Sequence, residues 1–378
     1  MESLQNNARM KLMDKKSYFT STVFTALSGG VDSSVSAVLL KEQGFNVTGV
    51  YMKNWTEDIG TAHCPWKEDV EDARAVAEKI GIPFEIFNLQ KEYKEIVVDY
   101  LIEGYKSGIT PNPDILCNQE IKFKLFLKRC FARGASFIAT GHYARIVEKD
   151  GRRALLKGRD TRKDQTYFLS RLNQEQLAYA LFPVGDMEKK EVRALAKQFE
   201  FQNAEKKDSQ GLCFVGKVDF HEFLKAYLPL KPGDVVTTEG KVVGEHEGAW
   251  FYTIGQRHGI GVYGGGAPYF VIAKNVKQNR LIVGNEIEEQ ALFSKTVFFE
   301  NAHWISGVAP SFPLACEGMI RYRQMPSQCV VHALDVSRFR VEFVSLQRAV
   351  TPGQSVVFYQ GEECLGGGII EGGLIDAV

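Results

Sequence analysis

The chain has 378 residues, which is long enough for two or three domains. Its composition, with 44% hydrophobic and 24% charged residues, is that of an ordinary globular protein. The formal net charge is zero, which excludes a uniformly basic surface, so any nucleic-acid contact must be local. The seven cysteines form no CxxC pair, and no apolar run reaches a membrane-spanning length. These features argue against a structural zinc site and predict a cytoplasmic protein with reduced thiols.

The N-terminal half alternates strand-like and helix-like segments. Residues 1–20 are polar and of mixed charge, and we interpret them as a flexible extension. Alternation from 21 to 215 is typical of a parallel sheet covered by helices, and we predict a catalytic α/β domain there. Strands are predicted at 23–25, 47–52, 84–89 and 137–140, and helices at 35–40, 67–80, 92–105 and 121–130.

The C-terminal half is richer in glycine and in short β-branched segments. The predicted strands are 234–237, 241–243, 251–254, 269–273, 281–283, 330–334, 341–344 and 355–359. We expect two small β-rich, barrel-like domains, at 216–288 and 289–378. Such modules can present nucleic acid to a catalytic domain, or they can simply cover it or mediate dimerisation. The pattern leaves these alternatives open.

A Gly-Gly turn between the first strand and the first helix carries the clearest chemical signal. Gly29 and Gly30 let the backbone approach a phosphate, and the amides of the following helix N-terminus point toward it. Asp32 can hold a magnesium ion. No lysine follows the glycines, so the usual GxxxxGK[ST] phosphate loop is excluded. SGGVDS resembles instead the pyrophosphate loop of enzymes that split ATP into AMP and pyrophosphate; the alternative is a plain turn before a core helix.

Further unusual strings follow in order along the chain. They are MKNW (52–55), TPNPDILCN (110–118), IKFK (121–124), ATGHY (139–143), KDQTYFL (163–169), KDSQGLCF (207–214), RYRQ (321–324), TPGQS (351–355) and GGGIIE (366–371). Together they resemble the bacterial-type tRNA-specific 2-thiouridylase family, from about residue 22 to the C-terminus. The loop alone is shared with GMP synthetase and other ATP pyrophosphatases, whereas PNPDILCN and the second cysteine are specific to this family.

The resemblance implies an α/β fold in which an N-terminal adenine-nucleotide alpha-hydrolase-like domain precedes two β-barrel-like domains. It also implies a reaction, the ATP-dependent 2-thiolation of the wobble uridine of tRNAs for Lys, Glu and Gln. ATP would adenylate the C2 oxygen of uridine and release pyrophosphate. A cysteine persulfide would then deliver sulfur, giving 2-thiouridine, AMP and either an enzyme disulfide or released sulfide.

The resemblance assigns site residues position by position. Cys213 would carry the persulfide, Cys117 would be the nucleophile that resolves it, and Asp114 would be an acid–base group near the uracil. ATP would be bound by Ala26, Leu27, Ser28, Gly29, Gly30, Val31, Asp32, Ser33, Met52 and Gly141. The tRNA would be contacted by Asn112, Pro113, Asp114, His142, Lys163, Asp164, Gln165, Arg321, Tyr322 and Gln354. For His142, a hydrogen-bonded histidine at a strand end is an equal alternative.

The local sequence around Cys117 favours a reactive thiol. Cys117 follows a Pro-rich turn and precedes the helix predicted at 121–130, which carries Lys122 and Lys124. A helix N-terminus and nearby cations both favour the thiolate. Elsewhere, the pairs 189–190 and 206–207 are lysines that suit RNA phosphates, although a solvated surface explains them equally well.

The expected partners are ATP with Mg²⁺, the tRNA anticodon stem-loop and a sulfur donor, which is either a cysteine desulfurase or a relay carrier. The target uridine must be splayed out of its stack to be modified. Two other interpretations are an ATP pyrophosphatase that amidates a nucleotide or amino acid, and a non-catalytic RNA-binding protein. The first gives Cys213 no use, and the intact loop argues against the second. No resident metal site and no membrane association are predicted.

Overall fold

The computed structural model describes residues 21–58, 64–208, 220–263, 268–285 and 288–371. The predicted extension 1–20 and Cys213, the predicted persulfide cysteine, lie outside the described residues. The first domain is built on a parallel sheet of five strands in the order β3-β2-β1-β4-β7. Its strands are β1 (Thr22–Ala26), β2 (Asn46–Lys53), β3 (Phe84–Asn88), β4 (Phe137–Ala139) and β7 (Ala180–Leu181). The predicted parallel sheet is therefore confirmed.

Helices cover both faces of this sheet. One face carries α1 (Val31–Glu42), α2 (Trp66–Ile80) and α7 (Lys189–Gln198). The other carries α3, in the segments Gln90–Tyr93, Lys94–Val98 and Asp99–Lys106, and α4, in the segments Pro113–Leu116, Cys117–Phe126 and Leu127–Phe131. Alternate residues of β1 serve the two layers: Phe24 faces the α3 and α4 side, and Val23 packs with Leu40 of α1. The two short helices that precede β7 are α5 (Thr166–Leu169) and α6 (Gln174–Ala178).

Helix α4 begins eight residues before the start predicted at residue 121. The Asn112 side chain caps it by accepting a hydrogen bond from the Ile115 amide at 3.2 Å. Pro113 occupies the first helical position, where its missing amide costs nothing. The prediction was wrong there because the Pro-Asn-Pro sequence favours a turn. The middle of α4, Cys117–Phe126, is a wide π-helical stretch, a feature that is frequent at functional sites.

The middle domain contains α8 (Phe220–Lys225) and a four-stranded sheet in the order β10-β11-β8-β9. Its strands are β8 (Gly233–Thr237), β9 (Val242–His246), β10 (Phe270–Asn275) and β11 (Arg280–Gly284). The strand predicted at 251–254 is wrong, since Ala249–Phe251 form a 3₁₀ turn. Trp250 and Phe251 are buried there, and the Phe251 ring meets His221 of α8 edge-on. A short apolar run does not distinguish a buried turn from a strand.

The C-terminal domain is a closed barrel of six strands in the order β12-β15-β14-β13-β16-β17, with β12 pairing β17 to complete it. Its strands are β12 (Phe293–Trp304), β13 (Leu314–Met319), β14 (Ser327–Ala333), β15 (Arg338–Arg348), β16 (Ser355–Gln360) and β17 (Glu363–Ile370). The predicted succession of a parallel-sheet domain and β-rich domains is thus confirmed. Within the described parts of the chain, no helix is both long and apolar enough to cross a membrane.

A hairpin from the first domain joins the barrel. Strands β5 (Ala144–Lys149) and β6 (Arg152–Lys157) follow β4, and β6 pairs with β17 of the barrel. The buried Glu363 of β17 forms ion pairs with Lys149 at 2.8 Å and Arg152 at 2.6 Å. The barrel is therefore attached to the first domain by backbone pairing and by ion pairs to a buried carboxylate.

Candidate active site

The Gly-Gly turn has the backbone that an anion-binding loop needs. Gly29 has a φ of +73°, and a Cβ there would lie 2.5 Å from the Asp69 carbonyl oxygen of α2, so only glycine fits. The Ser33 hydroxyl donates to the Gly30 carbonyl at 2.9 Å and accepts from the Ser28 amide at 3.2 Å. These bonds fix the turn around the N-terminus of α1, whose first amides lack intrahelical partners.

Gly141 meets this turn from the neighbouring strand β4. A Cβ at Gly141 would lie 2.7 Å from the Ser33 nitrogen and 2.8 Å from the Asp32 carbonyl carbon. Met52, at the end of β2, is buried in the core beneath the same edge. The structure thus brings the predicted nucleotide-binding residues 26–33, Met52 and Gly141 to the carboxyl edge of the sheet, where ligands of such folds bind.

Asn203 supports the turn from below, and the sequence prediction missed it. Its side-chain amide donates to the Gly29 carbonyl and to the Ser34 hydroxyl, both at 3.0 Å. The side chain is buried. Asn203 lies 174 residues from Gly29 along the chain, and no motif surrounds it, so no local signal identifies it.

Asp32 stands in a cluster of charged and hydroxyl groups. The Tyr143 hydroxyl donates to its carboxylate at 2.8 Å, and the Lys189 ammonium bonds both of its oxygens, at 2.7 and 2.8 Å. The same ammonium lies 2.7 Å from Asp208, which Lys163 also pairs at 2.5 Å. Burial alone would raise the pKa of Asp208, but hydrogen bonds from Lys163 and Lys189 outweigh it and lower the pKa to about 2. Asp208 therefore remains ionised throughout the physiological pH range.

Cys117 lies inside helix α4 and not before it. Its side chain is 0% exposed and belongs to the same apolar core as Met52. Its amide donates to the carbonyls of Pro113 and Asp114. The expectation that Lys124 promotes the thiolate gains no support, because Lys124 is exposed and pairs with Glu120 at 2.6 Å. No disulfide joins the six cysteines that fall within the described residues.

The barrel holds the segment 110–112 that leads into α4. The Gln354 side-chain amide donates to the Thr110 carbonyl at 2.8 Å and to the Pro111 carbonyl at 3.4 Å. The Gln354 Oε1 accepts from the side-chain Nδ2 of Asn112 at 3.5 Å. The Thr110 amide donates in turn to the Pro352 carbonyl at 2.8 Å. The structure therefore brings Gln354 together with Thr110, Pro111 and Asn112, although Gln354 is far from them in sequence.

The other predicted tRNA contacts are spread over a wider surface. Tyr322 is half-buried, with its ring centroid 4.4 Å from that of Phe168. The Arg321 guanidinium binds the carbonyls of Arg348 and Ala349, at 2.6 and 2.9 Å, so in this structure it stabilises the barrel.

Two predicted contacts, Asp164 and Gln165, hold the fold of the 158–166 segment. Asp164 accepts hydrogen bonds from the Gly158 and Thr166 amides at 3.0 and 3.3 Å, and Gln165 accepts one from the Tyr143 amide at 3.0 Å. Lys163, in the same segment, forms the ion pair with Asp208.

His142 is buried between aromatic rings. Its Nδ1 lies 2.7 Å from the Thr140 hydroxyl, and its ring packs edge-on against Phe182. Burial, with a smaller contribution from the charge of Lys122, lowers the pKa of His142 well below its ordinary value, so the ring is neutral at pH 7. These contacts favour the strand-end histidine over an RNA contact.

Comparison with known proteins first defines the class. Residues 21–217 match the family described as "tRNA methyl transferase HUP domain", 221–285 the "tRNA methyl transferase PRC-barrel domain", and 294–370 the "Aminomethyltransferase beta-barrel domain". The three matches follow the parallel-sheet domain, the four-stranded sheet and the closed barrel in order. The class is a HUP-type nucleotide-binding domain followed by two β domains.

Curated relatives then define the family. The chain is 49% identical over 350 residues to the "tRNA-specific 2-thiouridylase MnmA" of Exiguobacterium sibiricum, covering 93% of this chain and 94% of that protein. It is 50% identical over 353 residues to the protein of the same name from Pseudomonas fluorescens, covering 92% and 94%. The chain belongs to the tRNA-specific 2-thiouridylase family.

Solved structures overlap only in part. The alignment with an NMN synthetase from Francisella tularensis covers 52% of this chain and 76% of the synthetase chain, with a TM-score of 0.31 and 15% identity. A 4-thiouridine synthetase–RNA complex with bound ATP covers 52% of this chain and 46% of its own, with a TM-score of 0.34 and 20% identity. Overlaps at this level decide nothing about activity.

Proposed function

We propose that this chain replaces the C2 oxygen of a tRNA wobble uridine with sulfur, at the expense of ATP. The observation that carries the proposal is the combination of a complete SGGVDS loop with both Cys117 and Cys213, in a chain 49% identical to a 2-thiouridylase over nearly its whole length. The substrates we infer are the tRNAs for Lys, Glu and Gln, and we place the enzyme in the cytoplasm.

The first step activates the base. The uridine C2 oxygen attacks the α-phosphorus of ATP, the bond to the β-phosphate breaks, and pyrophosphate leaves into the Gly29–Gly30 turn. The amides at the N-terminus of α1 stabilise the departing anion, since they are fixed and point at it. Asp32 has the carboxylate that a magnesium ion requires beside these phosphates, and such an ion, when bound, neutralises phosphate charge.

The second step delivers sulfur. A persulfide on Cys213 supplies its terminal sulfur to C2, and AMP leaves with the former uridine oxygen. The Cys117 thiolate attacks the Cys213 sulfur and breaks the persulfide S–S bond. Either the terminal sulfur passes directly to C2 while a Cys117–Cys213 disulfide forms, or hydrosulfide is released and attacks C2 while the same disulfide forms. In both routes an external dithiol must reduce the disulfide before the next turnover, and a cysteine desulfurase or a relay carrier must reload Cys213.

The base reaches this site only when it leaves the anticodon stack. We assign the Asn112–Asp114 segment at the start of α4 to the flipped uridine, and we assign to Asp114 the exchange of a proton with it. We assign Lys163, on the 158–166 segment, and Tyr322, whose ring contacts Phe168 from the barrel, to the tRNA. Phosphate contacts of this kind make affinity fall with salt concentration.

The product of ATP cleavage tests the activation step. Incubation with Mg-ATP and unmodified tRNA will yield AMP and pyrophosphate, and tRNA will stimulate their release. ADP and inorganic phosphate as products would contradict the pyrophosphate-loop chemistry. A lack of any tRNA-stimulated cleavage would favour a non-catalytic RNA-binding protein.

Gln354→Ala will lower kcat/KM for tRNA about tenfold while leaving ATP affinity unchanged. The substitution leaves the buried Thr110 carbonyl without its partner, which costs about 1–2 kcal/mol and loosens the base-binding loop. The measurement is steady-state thiolation at varied tRNA concentration. Gln360→Ala, an exposed glutamine at the end of β16, is the matched control. Equal kcat/KM values for the two variants would show that the hydrogen bond from Gln354 to Thr110 has no role in positioning this segment.

A further inference from the structure

We propose that Lys189 is the cation of the ATP site, binding the β- and γ-phosphates of the nucleotide and the pyrophosphate it releases. This inference rests on the proposed function, because it assumes that the Gly29–Gly30 turn receives pyrophosphate. It adds a phosphate-binding residue that lies far from the loop in sequence.

The loop needs a cation from elsewhere. From Ser17 to Leu40 the sequence contains no lysine, arginine or histidine. Helix-terminal amides supply only a partial positive charge, roughly half of an elementary charge for a whole helix. Triphosphate sites commonly complete this with a lysine that acts as a point charge. The nearby Lys206 is already paired with Asp69 at 2.7 Å and Asp72 at 2.6 Å.

Lys189 occupies the required position. Its ammonium bonds both carboxylate oxygens of Asp32, the second residue of α1, so it lies at the mouth of the turn. Only 11% of the Lys189 side chain is exposed, whereas 77% of that of its neighbour Lys190 is exposed. Lys190 pairs with Glu188 on the outer side of the helix. Two adjacent lysines therefore have opposite surroundings, and only one faces the loop.

The position of Lys189 is fixed before any nucleotide binds. Its backbone amide donates to Asp160 at 3.0 Å, and its ammonium lies 2.7 Å from Asp208. Asp208 is held by Lys163, and Arg193 lies 3.4 Å from it. Asp32 would be the residue that holds a magnesium ion, and the Lys189 ammonium would then bind phosphate oxygens in place of that carboxylate while keeping Asp208 as its second partner. Because Asp160 and Asp208 already hold the lysine beside the turn, phosphate binding requires little further ordering of its side chain.

Binding of inorganic pyrophosphate tests this role without turnover. Isothermal titration in EDTA keeps metal ions away from Asp32. Lys189→Met will weaken pyrophosphate binding about 10- to 100-fold, the size expected for a charge-assisted contact. The affinity of this variant for AMP, which lacks the β- and γ-phosphates, will change less than about threefold. Lys190→Met is the matched control and will bind both ligands like the wild type.

A double-variant cycle separates a phosphate contact from mere neutralisation of Asp32. With Asp32→Asn, the carboxylate charge that Lys189 offsets is gone. If Lys189 binds phosphate, Asp32→Asn/Lys189→Met will still bind pyrophosphate about 10- to 100-fold more weakly than Asp32→Asn. Equal affinities of these two variants for pyrophosphate would overturn the inference. So would an equal loss of affinity for AMP and for pyrophosphate in Lys189→Met. The double variant leaves Asp32 uncharged, so it remains informative where Lys189→Met alone fails to fold.

The proposed function fails differently. Wild-type protein that binds neither ATP nor pyrophosphate would contradict the pyrophosphate loop itself and the inference with it. Wild-type protein that binds both, while every Lys189 variant binds equally well, would contradict the role of Lys189 alone.

Discussion

Replacing Cys117 with serine will abolish 2-thiouridine formation, with a loss of about 1000-fold or more, while ATP cleavage continues for a single turnover. A serine hydroxyl at this position is not ionised at neutral pH, so it does not attack a persulfide sulfur as a thiolate does. Adenylation of the base precedes that attack, so about one pyrophosphate per enzyme will still be released. Quenched-flow measurement of pyrophosphate beside mass spectrometry of the digested tRNA gives both quantities.

The same helix supplies the control for this prediction. Cys130 is also buried on α4, and its pKa is raised chiefly by burial, as expected for an inert core thiol. Cys130→Ser will therefore retain thiolation, apart from a loss of stability. Cys213→Ser will behave like Cys117→Ser. Thiolation at the wild-type rate by Cys117→Ser would show that another group resolves the persulfide.

Gly141→Ala will remove nucleotide binding, with a loss of about 100-fold or more in ATP affinity. The added methyl group would lie 2.7 Å from the Ser33 nitrogen and 2.8 Å from the Asp32 carbonyl carbon, both of them backbone atoms that do not rotate away. The N-terminus of α1 must therefore move, and its backbone amides no longer point at the phosphates. Equilibrium binding of ATP to the purified variant measures the effect.

Gly134→Ala is the matched glycine control. Gly134 sits in a left-handed turn, at φ +83°, and a Cβ there meets no atom within 4 Å. The variant will lose about 1 kcal/mol of stability from backbone strain and will keep its ATP affinity. ATP binding by Gly141→Ala at the wild-type level would mean that the turn does not hold the nucleotide.

The parts of the fold that local patterns determine were predicted correctly. The apolar strands and the helix stops, such as the one at Gly81, were enough to predict the parallel sheet, and the spacing of the short strands predicted the β domains. The strained turn at Gly29 could be located because the chemistry of phosphate binding demands glycine there. The start of α4 could not be located, because a proline in a Pro-Asn-Pro sequence favours a turn and only the structure shows that Asn112 caps the helix.

Contacts between distant segments were beyond the reach of the sequence. Asp32 and Lys189 are 157 residues apart, and Gln354 lies 244 residues from Thr110. No periodicity encodes such pairs. The hairpin 144–157 illustrates the same limit, because its residues follow β4 of the parallel sheet and yet pair with β17 of the barrel. Lys189 was visible only as half of a lysine pair, and burial alone distinguishes it from Lys190.

Mass analysis of the wobble nucleoside tests the central claim most directly. The purified chain is incubated with unmodified tRNA, Mg-ATP and a donor of persulfide sulfur, and the tRNA is digested to nucleosides. We predict a uridine in which one sulfur replaces one oxygen, and its absence with Cys117→Ser or Cys213→Ser. An unchanged nucleoside mass, with pyrophosphate released and the sulfur source shown to load Cys213, would contradict sulfur transfer. An unchanged mass without pyrophosphate would contradict the account as a whole.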